Sequence, residues 1–279
     1  MYFTIPNRLS AWLLTLYLLT QVASVPVDVQ EPLSSDLKVN FRNGTVSDLD
    51  DIVTIIIDAF APGDAFKYTH PGYERFKEYT KCCTREEIKR RWDDVEWKGT
   101  IVKVITVPDD HTSSSGKERA VATAVWVTKS EEEDGDEGSL TEAIWNIVYN
   151  QPPISLMDKP DDSLYDCSLH LGSNMTRSDD FRRQLMQAEQ DTIDSQFTKH
   201  LYLAVLATHP TWDGHNFGAM NLHWGMRFAK ARDIPVTLIA TPEGYPLYDS
   251  LGFQSLKNVT IHKLDGERDL WYEAMVFDG

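Results

Sequence analysis

From Leu201 to Thr208 the chain is an almost unbroken apolar run, LYLAVLAT, with no polar alternation. That pattern predicts a strand buried on both faces, the central strand of an α/β or mixed sheet. His209-Pro210 ends the run, and a turn rich in Asp, Gly and Asn follows. Phe217, Met220, Trp224, Phe228 and Ala231 then recur at three- and four-residue spacing, which predicts a helix burying one face. A strand, a turn of small residues and an amphipathic helix in succession converge backbone N–H groups and a helix N-terminus on one point, a geometry suited to phosphate groups. An ordinary strand-to-helix connection has the same outline.

Around this centre the patterning predicts further elements. Lys38 to Phe41 alternates as a short strand, and Asn43-Gly44 is a turn. Ser47 with Asp50 has capping spacing, and Ile52, Val53, Ile56 and Phe60 fill one helical face behind it. Phe66, Tyr68, Tyr73, Phe76 and Tyr79 crowd a segment punctuated by Pro and Gly, either lining a cleft or forming a satellite cluster. Thr84 with Glu87 predicts the opening of a second helix, through about Val95. Thr100–Val107 and Arg119–Thr128 alternate as an antiparallel pair around a loop at 109–117. Glu131–Glu137 is an acidic run expected in water, Leu140–Tyr149 a short helix, and Asp179–Lys199 a longer one. Ile234–Ala240 is β-rich, and Ser255–Leu264 with Leu270–Phe277 predicts a closing hairpin about Asp265-Gly266.

The chain has 279 residues, 42% of them hydrophobic, enough for one good-sized core. A formal net charge of −16 argues against a nucleic-acid partner, since a phosphate backbone would be repelled over most of the surface. It would suit a cationic substrate and does not bar a small phosphate-bearing cofactor. Residues 1–24 read apart from the fold. Arg8 precedes the apolar stretch Ala11–Leu19, too short to span a bilayer, and Val22-Ala23-Ser24 has the small residues of a cleavage site. This is the pattern of a signal peptide, with an anchor or an N-terminal extension as alternatives. It places the protein in the secretory pathway if it acts as a signal and in the cytoplasm otherwise. Sequons at Asn43, Asn174 and Asn258 would permit glycosylation. Against secretion, Cys82, Cys83 and Cys167 are odd in number and form no evident disulfide framework or metal-ligand set. Glu189, Asp191 and Asp194 read as a solvated acidic face rather than a metal site, and no nucleophile elbow, Walker loop or His-Glu-x-x-His motif is present.

Leu203, Leu206, Ala207, Thr208, His209-Pro210 and Gly214-His215-Asn216-Phe217-Gly218-Ala219 resemble motif A of the GNAT N-acetyltransferase superfamily. Gly244-Tyr-Pro-Leu-Tyr-Asp-Ser-Leu-Gly-Phe253 resembles its Leu-Tyr-x-x-Leu-Gly-Phe segment. Arg42, Asp48, Ile52 and Ala59-Phe60 follow its opening pattern. In the phosphate loop the usual Gln or Arg is Asp213 and the first glycine is Asn216. Asn tolerates left-handed backbone, so Asn216 can preserve the turn, and Asp213 would cap the helix.

The resemblance spans residues 37–279 in order of elements, with an insertion at about 130–199. It implies a three-layer α+β fold: a mixed, mostly antiparallel sheet with a splayed central strand and flanking helices. It further implies an acetyl-CoA-dependent N-acetyltransferase in which a small-molecule amine attacks the thioester directly. Leu206, Ala207 and Thr208 would hold acetyl-CoA through their backbone. Gly214, His215, Asn216, Phe217, Gly218 and Ala219 would hold its pyrophosphate. Tyr248 would be the general acid, although a tyrosine flanked by Leu247 and Leu251 also suits a core. The aromatic segment would form part of the acceptor wall. Among His209, Glu189, Asp191 and His200 no residue stands out as general base. A GNAT-like fold that binds a ligand or partner without catalysis, its cofactor loop degenerate, is the second reading.

Overall fold

The computed structural model describes residues 37–92, 99–109, 117–130 and 165–279. Seven strands form one sheet in the order β1-β2-β3-β4-β5-β7-β6: β1 (Asn40–Asn43), β2 (Thr100–Pro108), β3 (Glu118–Ser130), β4 (Lys199–Thr208), β5 (Val236–Ala240), β6 (Gln254–Ile261) and β7 (Leu270–Phe277). Every neighbouring pair is antiparallel except β4 and β5. The apolar run thus becomes the central strand, β4, with three strands on either side and helices covering both faces, as its lack of alternation requires.

Helices α1 (Leu49–Phe60) and α4 (Met175–Glu189) cover one face. Ile52, Ile56, Phe181 and Leu185 pack there against Val205, Tyr202, Tyr272 and Ala274. Helices α5 (Phe217–Lys230) and α6 (Tyr245–Ser250) cover the other, over Trp126, Leu201, Leu238 and Met275. The fold is therefore the three-layer, mostly antiparallel α+β arrangement expected. Of two further helices, the short α2 (Asp64–Thr69) packs beside α4 and the longer α3 (Lys77–Trp92) beside α1. None of the described helices is long and apolar enough to cross a membrane.

Several local expectations shift. The cap before α1 is a box of Thr45 and Asp48, two residues ahead of Ser47 and Asp50. Asp48 takes Thr45 N at 2.8 Å and the Arg42 guanidinium at 2.6 and 2.7 Å, so its carboxylate is already committed where the helix begins. Thr84 does not start a helix. It lies buried within α3, because Tyr79, Cys83 and Ile88 extend the buried face upstream of it. Of the predicted helix at 179–199, α4 begins earlier, capped by Asn174, and closes in a π-turn, Gln190–Asp194. The acidic run and the helix at 140–149 lie outside the described residues.

The largest revision concerns α5. Its innermost stripe is Phe217, Asn221, Leu222, Gly225 and Ala229, which keeps Phe217 of the predicted face but not Met220, Trp224 or Phe228. Trp224 and Phe228 lie on the flank, half-buried, with Trp224 beside Trp126 at 5.9 Å and under the Lys103 ammonium at 4.9 Å. The cause is Gly225. A Cβ there would sit 2.2 Å from the ring of fully buried Trp126, so only glycine lets the helix approach the sheet. Gly225→Ala is expected to destabilise the protein by about 3 kcal/mol, read as a lower urea midpoint at unchanged m.

The cysteines also differ from expectation. Cys83 and Cys167 are bridged, 84 residues apart with Cα atoms at 5.5 Å, leaving Cys82 as the free thiol. The bond ties α3 to the Cys167–Leu169 turn, beside Tyr79, whose hydroxyl donates to the Asp166 carbonyl at 3.0 Å.

Candidate active site

The site begins where β4 outruns its parallel neighbour. β5 pairs with β4 only at Leu201–Leu203, opposite Val236–Leu238. From Ala204 to Thr208 β4 continues along β3 alone, so on the β5 side its backbone N–H and C=O groups face a gap. A cavity of about 450 Å³ fills it. Leu206, Ala207 and Thr208 form one wall, α6 with Leu247 and Tyr248 another, and Phe60, Pro62 and Gly63 at the end of α1 a third. Ile239, Thr241, Glu243 and Tyr272 complete it.

The turn after β4 passes through two left-handed residues. Gly214 has φ +81° and Asn216 φ +58°, the left-handed conformation in which Asn replaces glycine at least cost. Asn216 is the N-cap residue of α5, yet no side chain caps the helix. The first N–H groups of α5 therefore have no side-chain acceptor, and the helix carries its positive end there. Gly218 lies where a Cβ would touch Leu247 at 3.0 Å, which lets α5 start close against α6. Asp213 is not the cap expected of it. It is exposed at the cavity rim, with backbone outside the helix.

The predicted site residues thus fall into two groups. Leu206, Ala207, Thr208, Gly218 and Tyr248 line the cavity. Gly214, His215, Asn216, Phe217 and Ala219 form the turn and helix start behind it. Phe217 is fully buried, so it can offer a ligand only its backbone. His215 stacks between Trp212 and Phe217, and its Nδ1–H donates to the Trp212 and Asp213 carbonyls, each at 3.1 Å. The ring therefore braces the turn.

Tyr248 is 8% exposed, its ring edge-on to Phe253 at 5.7 Å. Burial pushes its hydroxyl well above the ordinary tyrosine range. It holds its proton throughout the physiological range.

Two other expectations resolve against a site role. The rings of Phe66, Tyr68, Tyr73 and Tyr79 are buried in the core or in a satellite cluster with Cys83, and none lines the cavity. Instead Phe60 on α1, Ile239 on β5 and Tyr272 on β7 add to the apolar surface given by Leu203, Leu206 and Leu247; the alternation of β5 and β7 contained Ile239 and Tyr272 without marking them. His209 is a tether. Its Nδ1 accepts from Thr211 Oγ1 at 2.8 Å and Thr211 N at 3.3 Å, and its Nε2 faces Asp58 at 3.6 Å. Glu189 and Asp194 form no solvated face. Glu189 is buried and takes the Lys129 ammonium at 2.5 Å, while Asp194 takes it at 3.1 Å. Among the described residues no group of three His, Cys, Asp or Glu could hold a metal.

Two histidines make the fold acid-sensitive. His70, stacked on Phe66 at 4.3 Å, and His200 are both buried, and burial pulls each down to about 4. The unfolded chain binds these protons near pH 6.5 and the folded chain only near pH 4, so stability falls as pH drops through that window. The slope is roughly 1 kcal/mol per pH unit for each histidine. His70 lies apart from the Lys129 network, so His70→Phe, which keeps the stack, should halve the slope in urea titrations between pH 6.5 and 4.5. An unchanged slope would show that His70 does not contribute.

No family model matches the sequence, and no curated protein matches it. Solved structures do. An agmatine N-acetyltransferase in its apo form aligns over 86% of this chain and 98% of its own, at 14% identity and TM-score 0.50. A Drosophila melanogaster polyamine N-acetyltransferase aligns over 87% and 100%, at 14% identity and TM-score 0.49. A mosquito arylalkylamine N-acetyltransferase-like protein aligns over 86% and 99%, at 12% identity and TM-score 0.49. At these identities the likeness is one of fold: the chain has the fold of the GNAT N-acetyltransferase superfamily.

Proposed function

We propose that this protein is an acetyl-CoA-dependent N-acetyltransferase whose acceptor is a small molecule bearing a primary amine. The observation that carries the reading is the cavity between the parted strands, with the backbone of Leu206–Thr208 on one side and the proton-holding hydroxyl of Tyr248 on another. Acetyl-CoA supplies an activated acyl group. The unpaired β4 backbone would position it and donate hydrogen bonds to its carbonyl oxygen, worth roughly 3–4 kcal/mol where charge develops. The Gly214–Ala219 turn and the start of α5 would take its pyrophosphate. Tyr248 would give its proton to the departing sulfur as the amine nitrogen takes the acyl group.

Electrostatics favour a cationic acceptor. Among the described residues, Asp213 and Glu243 are the charged side chains on the cavity wall, and no Lys or Arg lines it. The neighbouring agmatine and polyamine enzymes act on substrates of that kind. No residue is assigned as base: His209 has Nδ1 bonded to Thr211 and its Nε2 turned toward Asp58 at 3.6 Å, and it does not line the cavity. The test is thiol release from acetyl-CoA against a panel of mono-, di- and aromatic amines. Acceptor-dependent release supports the reading, and none above the hydrolytic background with any amine counts against it.

Asp213 favours the second reading, a GNAT fold that binds a ligand or partner without turnover. A carboxylate at the rim opposes a pyrophosphate a few residues from where α5 would hold it. Asp213→Asn is therefore expected to tighten acetyl-CoA binding by about three- to ten-fold at low salt, measured by calorimetry, with the gain shrinking as salt rises.

A further inference from the structure

We infer that Asn43 and Asn258 are N-glycosylation sites of a chain that folds in the secretory pathway. This reading is independent of the proposed chemistry. Three separate observations converge on it. The first is the leader pattern, Arg8 followed by apolar Ala11–Leu19 and Val22-Ala23-Ser24. The second is the buried Cys83–Cys167 bridge, since a structural disulfide belongs to an oxidising compartment. The third is the placement of the sequons.

Asn43-Gly44-Thr45 and Asn258-Val259-Thr260 lie on β1 and β6, the two edge strands of the sheet. Asn43, Thr45, Asn258 and Thr260 are all exposed. Oδ1 of Asn43 accepts from Lys103 Nζ at 2.8 Å, which fixes the amide and leaves Nδ2 for the sugar. On β6, Val259 points into the core while Asn258 and Thr260 share the outer face, so the acceptor and its hydroxyl emerge together. Asn258 Nδ2 donates to Tyr272 O at 3.3 Å and Glu273 Oε2 at 3.1 Å. A glycosylated amide keeps one hydrogen, so one of these bonds survives. Asn174 differs. It is half-buried, its Oδ1 caps α4 through Arg177 N at 3.2 Å, and its own N–H is held by the Thr69 carbonyl at 2.8 Å. A bulky substituent there would meet the packed junction of α2 and α4, and Asn174 is expected to stay unmodified.

In the transfer, Nδ2 forms a bond to the anomeric carbon of an oligosaccharide carried on a lipid pyrophosphate. The bond from that carbon to the pyrophosphate oxygen breaks, and Nδ2 loses one proton as the lipid pyrophosphate leaves. Glycans on both edges would also block edge-to-edge strand pairing between copies.

The test is expression of the full chain in a eukaryotic secretory host. The protein is recovered from the medium and treated with an amidase that releases N-glycans in heavy-oxygen water, then peptide-mapped. The proposal expects a labelled Asp at positions 43 and 258, an unlabelled Asn174, and a single free thiol, Cys82. Thr260→Ala, an exposed change, should remove one glycan without altering secretion. Retention in the cytosol with three free thiols overturns the proposal. So does secreted protein with Asn43 and Asn258 unmodified, or modification confined to Asn174.

Discussion

Tyr248→Phe is expected to lower turnover about a hundred-fold while leaving acetyl-CoA affinity within a factor of two. The substitution removes one oxygen and keeps the ring, so the contacts with Phe253 and the close pass over Gly244 persist. What disappears is a buried hydroxyl at the cavity wall that keeps its proton at neutral pH and, on the proposed chemistry, would give it to the leaving thiolate. Loss of a positioned acid costs about 10²–10⁴ in rate. Steady-state rates with the best amine, paired with calorimetry on the same preparation, separate the two effects. Turnover within two-fold of the parent would remove Tyr248 from the chemistry and make water the proton source. An equal fall in affinity would make its role structural.

A second large effect is expected far from the cavity. Lys129→Met should destabilise the protein by about 3–5 kcal/mol, because it removes the cation beside buried Glu189 and leaves the carboxylate the Tyr202 hydrogen bond and the like charge of Asp194. Glu189 is 1% exposed, and burial pushes its carboxyl up despite the opposing pull of Lys129. The Lys129 ammonium resists burial too, and is held charged by Glu189 and Asp194, over the Tyr202 ring at 5.1 Å. The π-turn Gln190–Asp194 swings Asp194 into the same cluster, where it also faces His200 at 3.5 Å. Without Lys129, Glu189 is expected to take a proton on folding. A group with a raised folded pKa contributes stability below its unfolded value and loses it as pH rises through the folded one. The deficit of Lys129→Met should therefore shrink toward pH 4.5 and widen toward pH 8 in urea titrations. Adding Glu189→Leu should recover most of it. A loss under about 1 kcal/mol at pH 8 would show that the network is solvated.

The central strand and the helix after it were legible because burial on two faces and helical spacing leave marks in a single stretch of chain. The turn between them was legible for a related reason. Gly214 and Asn216 are the residue types that accept positive φ, and they do. The wall of the cavity opposite β4 was not legible as a site. Phe60, Ile239 and Tyr272 come from three elements distant in sequence, and each reads locally as an ordinary core position. The aromatic segment drew attention through composition, yet its rings serve packing. Helix α5 misled for a definite reason. Periodicity weighs large apolar side chains, whereas the closest contact is made by Gly225, which has none. The acidic face at Glu189–Asp194 misled in the same way, since its partner Lys129 lies on a strand 60 residues earlier. The Cys83–Cys167 bridge spans 84 residues and is invisible to local spacing.

The most direct test of the account is a calorimetric titration of acetyl-CoA into the purified protein at low salt, repeated with free CoA and with dephospho-CoA. The account predicts saturable one-to-one binding at micromolar concentration, lost when Gly218→Trp fills the gap between α5 and Leu247. No heat at millimolar acetyl-CoA from protein shown to be folded would contradict it. The parted strands would then hold some other ligand.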